Sequence, residues 1–359
     1  MGLPLDEVLQ NPLPRWMAGD GPAADIVISS RARLARNLEG VPFPHLLDAG
    51  RAEQVAQRVK AAIDHINAAG KFGGLEFYFL EELSALDRQV LAEKRLISPQ
   101  HAELAPGRAA AIRRDEGVSI MVNEEDHIRL QCLFPGLAIG GAWRLASEID
   151  DWLEQRLPYA YCPRRGYLTA CPTNVGTGLR VSVMMHLPAL VMSGEARKLF
   201  SAITKVGLVV RGLYGEGTEA AGNIFQISNQ VSLGVSEEEI IEKIRGVATQ
   251  IVEQERSARQ GLLRQARAKI EDRICRAYGV LSQARIISSE EAIRLWSDVK
   301  MGIDLGVLNG ADSRPVNEVL VISGPGYIQR LAGRRLDATE RDIRRALLIR
   351  ERMRVYKSP

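Results

Sequence analysis

The 359-residue chain has little that would send it to a membrane or out of a cell. Its longest apolar runs, such as Val206 to Val210, are of strand length, well short of the roughly 18 residues a membrane span needs. The opening MGLPLDEVLQNPLPRW has neither the cationic start nor the apolar run of a signal peptide. Only four cysteines occur, at 132, 162, 171 and 275, with no C-x-x-C pair, which excludes the usual zinc sites and a disulfide framework. Free thiols in a reducing, cytoplasmic compartment are expected. The net charge of +3, set against 47 basic and 44 acidic side chains, excludes general nucleic-acid binding. The five histidines are scattered, and His127 and His186, the two near other polar motifs, read as structural. There is no G-x-x-x-x-G-K-[ST] loop and no H-R-D with D-F-G pair, so the common nucleotide-binding loops are excluded.

The pattern that remains is that of an α+β protein. Residues 1–24 carry spaced prolines and read as an irregular lead-in. A short strand is expected at Asp25–Ile28, with Ser29, Ser30 and Arg31 leaving it. Val55, Val59, Ile63 and Ile66 recur at helical spacing, with Gly70 as a C-cap. Leu75–Leu80 reads as a strand, and Ser84 with Asp87 opens a helix to about Arg95. Ala109–Arg113, Val118–Asn123 and Ile128–Phe134 predict an antiparallel meander. A helix over Leu137–Leu157 is expected to bury Trp143 and Trp152. Strands follow at Leu179–His186, Val206–Leu213 and Asn223–Leu233. Ser236 and Glu239 form a second capping box before a long helix, and helices at 289–300 and 338–353 follow. Arginine becomes dense there, with nine between 330 and 354. The expected division is a catalytic α+β unit, 25–255, with an antiparallel sheet flanked by helices, and an all-helical unit, 256–359.

Five arginines fall at strand ends or in turns: Arg31, Arg33, Arg129, Arg180 and Arg211. Arg31 and Arg33, two apart in an extended chain, share a face. Arginines on a half-buried face need anionic partners, and local carboxylates are too few. A polyphosphate fits, because guanidinium binds phosphate bidentately and keeps its charge. Glu124, Glu125 and Asp126 end a strand, and Glu216 and Glu219 lie in the glycine-rich segment Gly212–Gly222. Cys171 opens the CPTNVGTG loop. The residues alone therefore describe a nucleotide-phosphate site made of arginines, facing carboxylates and a thiol.

Four blocks in order, DIVISSRARLARN (25–37), NEEDHIRLQ (123–131), TACPTNVGTGLRVSV (169–183) and RGLYGEGTEAAGNIFQISNQ (211–230), resemble the phosphagen (guanidino) kinase family. The resemblance is to its protein-arginine-kinase branch. SSRAR begins at residue 29, without the helical domain that precedes it in the small-molecule kinases, and RDIRRA at 341–346 resembles a phosphoarginine-sensing motif. Transfer of phosphate from ATP, with Mg²⁺, to arginine side chains of proteins is what this implies. By resemblance, Glu125 is the catalytic carboxylate, Glu216 grips the guanidinium and Cys171 is the reactive thiol. The ATP-binding segments map onto Ser29, Ser30, Arg31, Ala32 and Arg33; Arg129; Arg180, Val181, Ser182, Val183 and Met184; and Arg211, Gly212, Leu213, Tyr214, Gly215 and Glu216. Arg341, Asp342, Ile343, Arg344, Arg345 and Ala346 map onto the allosteric phosphoarginine site. Arg95 stands where the family usually has a histidine. The implied partners are the repressor CtsR and misfolded proteins as substrates, an activator McsA, the ClpC–ClpP protease and further copies of the chain. The implied roles are marking proteins for degradation and controlling stress-response regulators. A small-molecule guanidino kinase and a non-catalytic phosphoarginine-binding adaptor are the alternatives.

Overall fold

The segment VISSRARLAR alternates small or apolar residues with polar ones, and in the computed structural model it is a single ten-residue strand, β1 (Val27–Arg36). Ser29 to Arg33 thus lie inside a central strand, where a short strand ending at Ile28 was expected. The structure describes residues 4–212, 220–308 and 313–355. The further strands are β2 (Leu75–Phe79), β3 (Ala109–Arg113), β4 (Val118–Val122), β5 (Ile128–Pro135), β6 (Tyr161–Cys162), β7 (Gly166–Tyr167), β8 (Leu179–His186), β9 (Leu208–Gly212) and β10 (Ile224–Asn229). All but β6 and β7, which pair with each other, form one antiparallel sheet in the order β2-β3-β4-β5-β1-β8-β10-β9.

The helices are α1 (Pro4–Gln10), α2 (Ala49–Ala68), α3 (Ala85–Glu93), α4 (Pro99–Ala102), α5 (Ile139–Glu154), α6 (Pro188–Met192), α7 (Ala196–Lys205), α8 (Glu237–Gln283), α9 (Ser289–Asp304), α10 (Arg314–Ile322), α11 (Pro325–Ala332) and α12 (Ala338–Met353). Among the described residues no helix is long and apolar enough to cross a membrane.

The period of two in β1 divides the sheet. Ala32 and Leu34 point to one face with Leu130, Cys132, Val181, Val183 and Ile227, all buried. α2, α5 and the first half of α8 cover that face. Ala142, Ala146, Ile149 and Leu153 form the inner stripe of α5, whereas Trp143 and Trp152 flank it and are only half-buried.

The opposite face is covered at one end. A second core joins Leu133 and Met184 to α3, α9, α10 and α12, and to the N-terminal segment. That segment is not an irregular lead-in. Leu5, Val8 and Leu9 of α1 are buried against this core, and Lys94 Nζ donates to Val8 O and Asn11 O near the helix end. Lys94 is itself paired with Glu116 at 2.7 Å, both side chains fully buried, and Asn11 Nδ2 donates to Glu116 at 2.6 Å. A seven-residue helix cannot hold itself; these tertiary bonds hold it, and periodicity does not report them.

The boundary expected near residue 255 falls inside α8, which is continuous to Gln283 apart from a non-helical backbone at Ala266. Glu255 has its carboxylate on the N–H groups of Ala189 and Leu190, each at 3.0 Å, and on Arg259 at 2.8 Å. Polar anchoring thus carries the helix past the point where its apolar stripe fades.

Candidate active site

Strand register brings the predicted arginines together. Arg33 stands opposite Arg180 on β8 and Gln131 on β5, Arg31 opposite Ser182, and Arg129 opposite Ala35. Arg211 on β9 lies opposite Gln226, which in turn faces Met184. Five arginines from four strands, β5, β1, β8 and β9, thus share the sheet face that α2 and α5 leave uncovered. Arg31, Arg33, Arg129 and Arg180 are half-buried and Arg211 is exposed.

Their electrostatics suit a polyanionic ligand. Arg31 donates to Ser182 Oγ at 3.2 Å and to Gln226 Oε1 at 3.4 Å, both neutral. Among the described residues only Arg129 of the five has a carboxylate ion pair, to Glu124. Burial, and then the guanidinium groups of Arg129, Arg95 and Arg180, lower Arg31 to about 9. Burial and the same kind of like-charge crowding push Arg33 well down. Clustered cations held at such a disadvantage are stabilised by a polyphosphate bound among them.

The side chains of Ala32, Val181 and Val183, placed with the ATP segments by resemblance, lie in the core on the other face. Their backbones, not their side chains, belong to the site strands. Ser29 is buried, and Ser30 is a structural tie: its Oγ donates to Gly136 O at 2.8 Å and accepts from Ala138 N at 3.0 Å. Leu213, Tyr214, Gly215, Glu216 and Glu219 fall outside the described residues.

The acidic turn follows β4. Asn123 adopts φ 57, its side chain held by Ala52 O and Gly107 O, each at 2.8 Å. Glu124 points inward, paired with Arg129 and accepting from Ser98 Oγ at 2.6 Å. Despite burial, these partners lower its carboxyl to about 2. Glu125 points outward and is exposed. It lines a cleft of about 410 Å³ with Asp48 at the start of α2, Arg108 and Ala170.

Asp126 is the residue whose role was not foreseen. Its Oδ1 accepts from Asn37 Nδ2 and from Ala170 N, each at 2.7 Å. One buried carboxylate therefore ties the Glu125 turn to the strand carrying Arg31 and Arg33 and to the loop carrying Cys171. The available signal was only that Asn37 and Asp126 sit within the motif blocks. His127 is structural, as expected: Nδ1 accepts from Leu38 N at 3.0 Å and Nε2 meets Pro42 O at 2.9 Å. His186, buried against Trp296, contacts Ser297 at 2.8 Å and is likewise structural.

Cys171 is partly exposed, its Sγ 3.1 Å from Thr173 Oγ1. Ser232 Oγ, 3.0 Å from both Thr173 O and Val175 O, fastens the loop from behind. A side chain at Gly176, where φ is 110, would come within 2.3 Å of Ser232 O, so only glycine allows this closure. Glu125 and Cys171 both act on Arg180 as charge-favouring neighbours, after burial and the opposing Arg211 and Arg129. The charges of Glu125 and Cys171 are thus felt at Arg180, beside the other arginines of the face.

The RDIRRA motif lies on α12, but its arginines do not form one outward cluster. Ala346, Ile349 and Met353 turn the helix inward and carry Arg345 with them. Arg345 is buried, donates to Ser323 O at 3.0 Å and Ile287 O at 2.8 Å, and pairs with Asp342. Arg341 donates to Leu336 O at 2.9 Å. Ile343 and Arg344 are exposed, and Ala346 is core.

Residues 54–258 match the model of the ATP:guanido phosphotransferase C-terminal catalytic domain, and residues 267–359 match that of the protein-arginine kinase McsB C-terminal domain. A protein-arginine kinase of Symbiobacterium thermophilum is 55% identical over 348 residues, covering 97% of this chain and 99% of its own. That of Bacillus licheniformis is 50% identical over 351 residues, covering 98% and 96%. Among solved structures, the duplicated taurocyamine kinase from Schistosoma mansoni matches with a TM-score of 0.56 at 26% identity, over 64% of this chain and 33% of that one. A lombricine kinase matches in fold, with a TM-score of 0.57 at 23% identity, over 70% of this chain and 73% of its own.

Proposed function

This chain belongs to the ATP:guanido phosphotransferase family, among its protein-arginine kinases, and from that premise we propose how its residues carry out the reaction. The enzyme phosphorylates arginine side chains of proteins, using ATP. The observation that carries the reading is geometric: strand register gathers Arg31, Arg33, Arg129 and Arg180 on one sheet face, and Asp126 ties the Glu125 turn to the chain leaving that face and to the loop of Cys171.

The triphosphate lies over β5, β1, β8 and β9, bound by Arg31, Arg33, Arg129, Arg180 and Arg211. Arg95, which acts on Arg31 as a nearby like charge, joins them. Mg²⁺ bound with the nucleotide would screen the phosphate charge beside these arginines.

The substrate arginine enters beside the exposed Glu125. A guanidinium is a poor nucleophile until it gives up a proton, because its pKa lies above about 12. Glu125 accepts that proton as a guanidino nitrogen attacks the γ-phosphorus. The N–P bond forms, the bond to the bridging oxygen breaks, and ADP leaves carrying the electron pair. Cys171 is placed to hold another guanidino nitrogen, and by resemblance Glu216, outside the described residues, serves the same end. Orientation of this kind supplies at best about 7–11 kcal/mol of the barrier, and the arginines stabilise charge on the transferring group.

Resemblance to the family supports a wider role: marking proteins for the ClpC–ClpP protease, inactivating the repressor CtsR, activation by McsA, self-association, and regulation by phosphoarginine at α12. The free cysteines support a cytoplasmic setting. The test is incubation with ATP–Mg²⁺ and either an arginine-rich protein or free arginine, followed by mass spectrometry without acid. Phosphoarginine on the protein is expected. Phosphorylation of free arginine alone would support the small-molecule reading instead.

A further inference from the structure

Arg95 occupies a position that favours glycine. α3 ends at Glu93, Lys94 is its C-cap, and Arg95 takes φ 61. Leu96 N donates back to Leu91 O at 3.0 Å, the closure in which the left-handed residue is usually glycine. An arginine there costs backbone energy. The following chain is stitched to the arginine face of the sheet. Gln131, opposite Arg33, donates to Arg95 O at 2.8 Å, and Ser98 Oγ reaches Glu124, the partner of Arg129, at 2.6 Å.

What fixes α3 from behind comes from the C-terminal helices. Glu93 accepts from Gly326 N at 2.7 Å and Tyr327 N at 3.0 Å, capping the first turn of α11. Just before that turn, Ser323 O accepts from Arg345 of α12, and Arg345 acts electrostatically on Glu93. An unbroken set of contacts therefore runs from α12, through the N-terminus of α11 and Glu93, to Arg95 and the arginine face.

We propose that Glu93 is a positioning residue for the nucleotide: its grip on the N-terminus of α11 sets the end of α3 and holds the Arg95 side chain at the phosphate site. The C-terminal helices thereby contribute to ATP binding without touching it. The proposal rests on the arginine face being the nucleotide site.

Glycine at 326 gives an independent lever. A Cβ there would come within 2.8 Å of Glu93 Oε1 and 2.9 Å of Gln89 Cγ, both on flexible side chains. Alanine suits a helix interior better than glycine, so Gly326→Ala displaces the carboxylate without weakening α11.

The experiment measures initial rates against ATP concentration for full-length wild type, Glu93→Gln, Gly326→Ala, Arg95→Ala and the double variant Glu93→Gln/Arg95→Ala, with melting temperatures alongside. Each single variant should raise KM for ATP about tenfold while kcat changes less than about threefold, the signature of lost binding. The double variant should match Arg95→Ala, because Glu93 has then nothing left to position. Wild-type KM in a folded Glu93→Gln or Gly326→Ala protein overturns the proposal, as does additivity in the double variant. Should Glu93→Gln not fold, Gly326→Ala alone decides. Loss of KM effects in Arg31→Ala and Arg180→Ala as well would instead overturn the nucleotide reading of the arginine face.

Discussion

Asp126 offers a sharp test of how the active site is assembled. Replacing it with alanine removes the acceptor of two 2.7 Å bonds, from Asn37 Nδ2 and Ala170 N. Bonds to a charged group contribute about 1.5–3 kcal/mol each, and buried donors left unpaired lose most of that. With water admitted to the gap, Asp126→Ala should cost about 3 kcal/mol in stability. Its kinetic effect should be larger in kind, because the Glu125 turn and the Cys171 loop lose their shared tie. A displacement of about 1 Å in a reacting group can cost about a hundredfold, so kcat should fall by about that factor while KM for ATP holds. Asp126→Asn should behave differently. Burial already raises this carboxyl, and an amide oxygen can accept both bonds. Its NH₂ would replace Oδ2, a buried atom without a partner, so the change should cost only about 1–2 kcal/mol and spare most of kcat. Urea denaturation and steady-state rates on the two variants decide. An alanine variant with wild-type kcat, or an asparagine variant as impaired as alanine, refutes the clamp.

Other expectations follow from the same site. Arg33→Met should raise the melting temperature of the ligand-free protein and weaken ATP binding in calorimetric titration, because like-charge crowding is relieved while a phosphate ligand is lost; a drop in both would mean that Arg33 is structural. Ionised Glu124, with Arg129, Ser98 and the Glu125 N–H as partners, should contribute roughly 3 kcal/mol at neutral pH, because these partners lower the folded-state carboxyl to about 2. That stability is present above the unfolded value of about 4.5 and is lost as pH falls toward 2. Denaturation from pH 7 to 3 should therefore show a steep acid limb in wild type and a shallower one in Glu124→Gln, and identical slopes would remove the pair from the account. Cys171, partly exposed, should be alkylated well before the fully buried Cys132, with ATP and substrate protein slowing it. Peptide mapping after brief labelling would contradict this if the two thiols react together.

The elements that sequence patterns carried best were those whose signal is local. Leu179–His186 and Ala338–Met353 have the expected bounds. Ser236 forms its capping box with Glu239, and Ser84 caps α3 through Asp87 N. The sharing of a face by Arg31 and Arg33 follows from the strand period alone, and the motif blocks brought Arg129, Arg180 and Cys171 to the same place. What was not legible depends on partners distant in sequence. α1 exists because Lys94 and Glu116, both fully buried, hold its end. The clamp at Asp126 needs Asn37 and Ala170 brought together by folding. On α12, the RDIRRA motif grouped Arg341, Arg344 and Arg345, but it could not say that Ala346 and Ile349 bury the edge on which Arg345 sits. Arg95, odd for its motif position, makes sense only once the like-charge neighbour Arg31 and the left-handed turn are seen together.

In the proposed mechanism the arginine face binds ATP while Glu125 takes the proton from the substrate guanidinium. The most direct measurement compares wild type with Glu125→Gln for ATP affinity by calorimetry and, at saturating ATP–Mg²⁺, for phosphoarginine formed on an arginine-rich protein. Equal ATP affinity is expected, with abundant phosphoarginine from wild type and at least about a hundredfold less from the variant, the scale of general-base catalysis. Near-normal phosphorylation by Glu125→Gln, or loss of ATP binding together with activity, would contradict it.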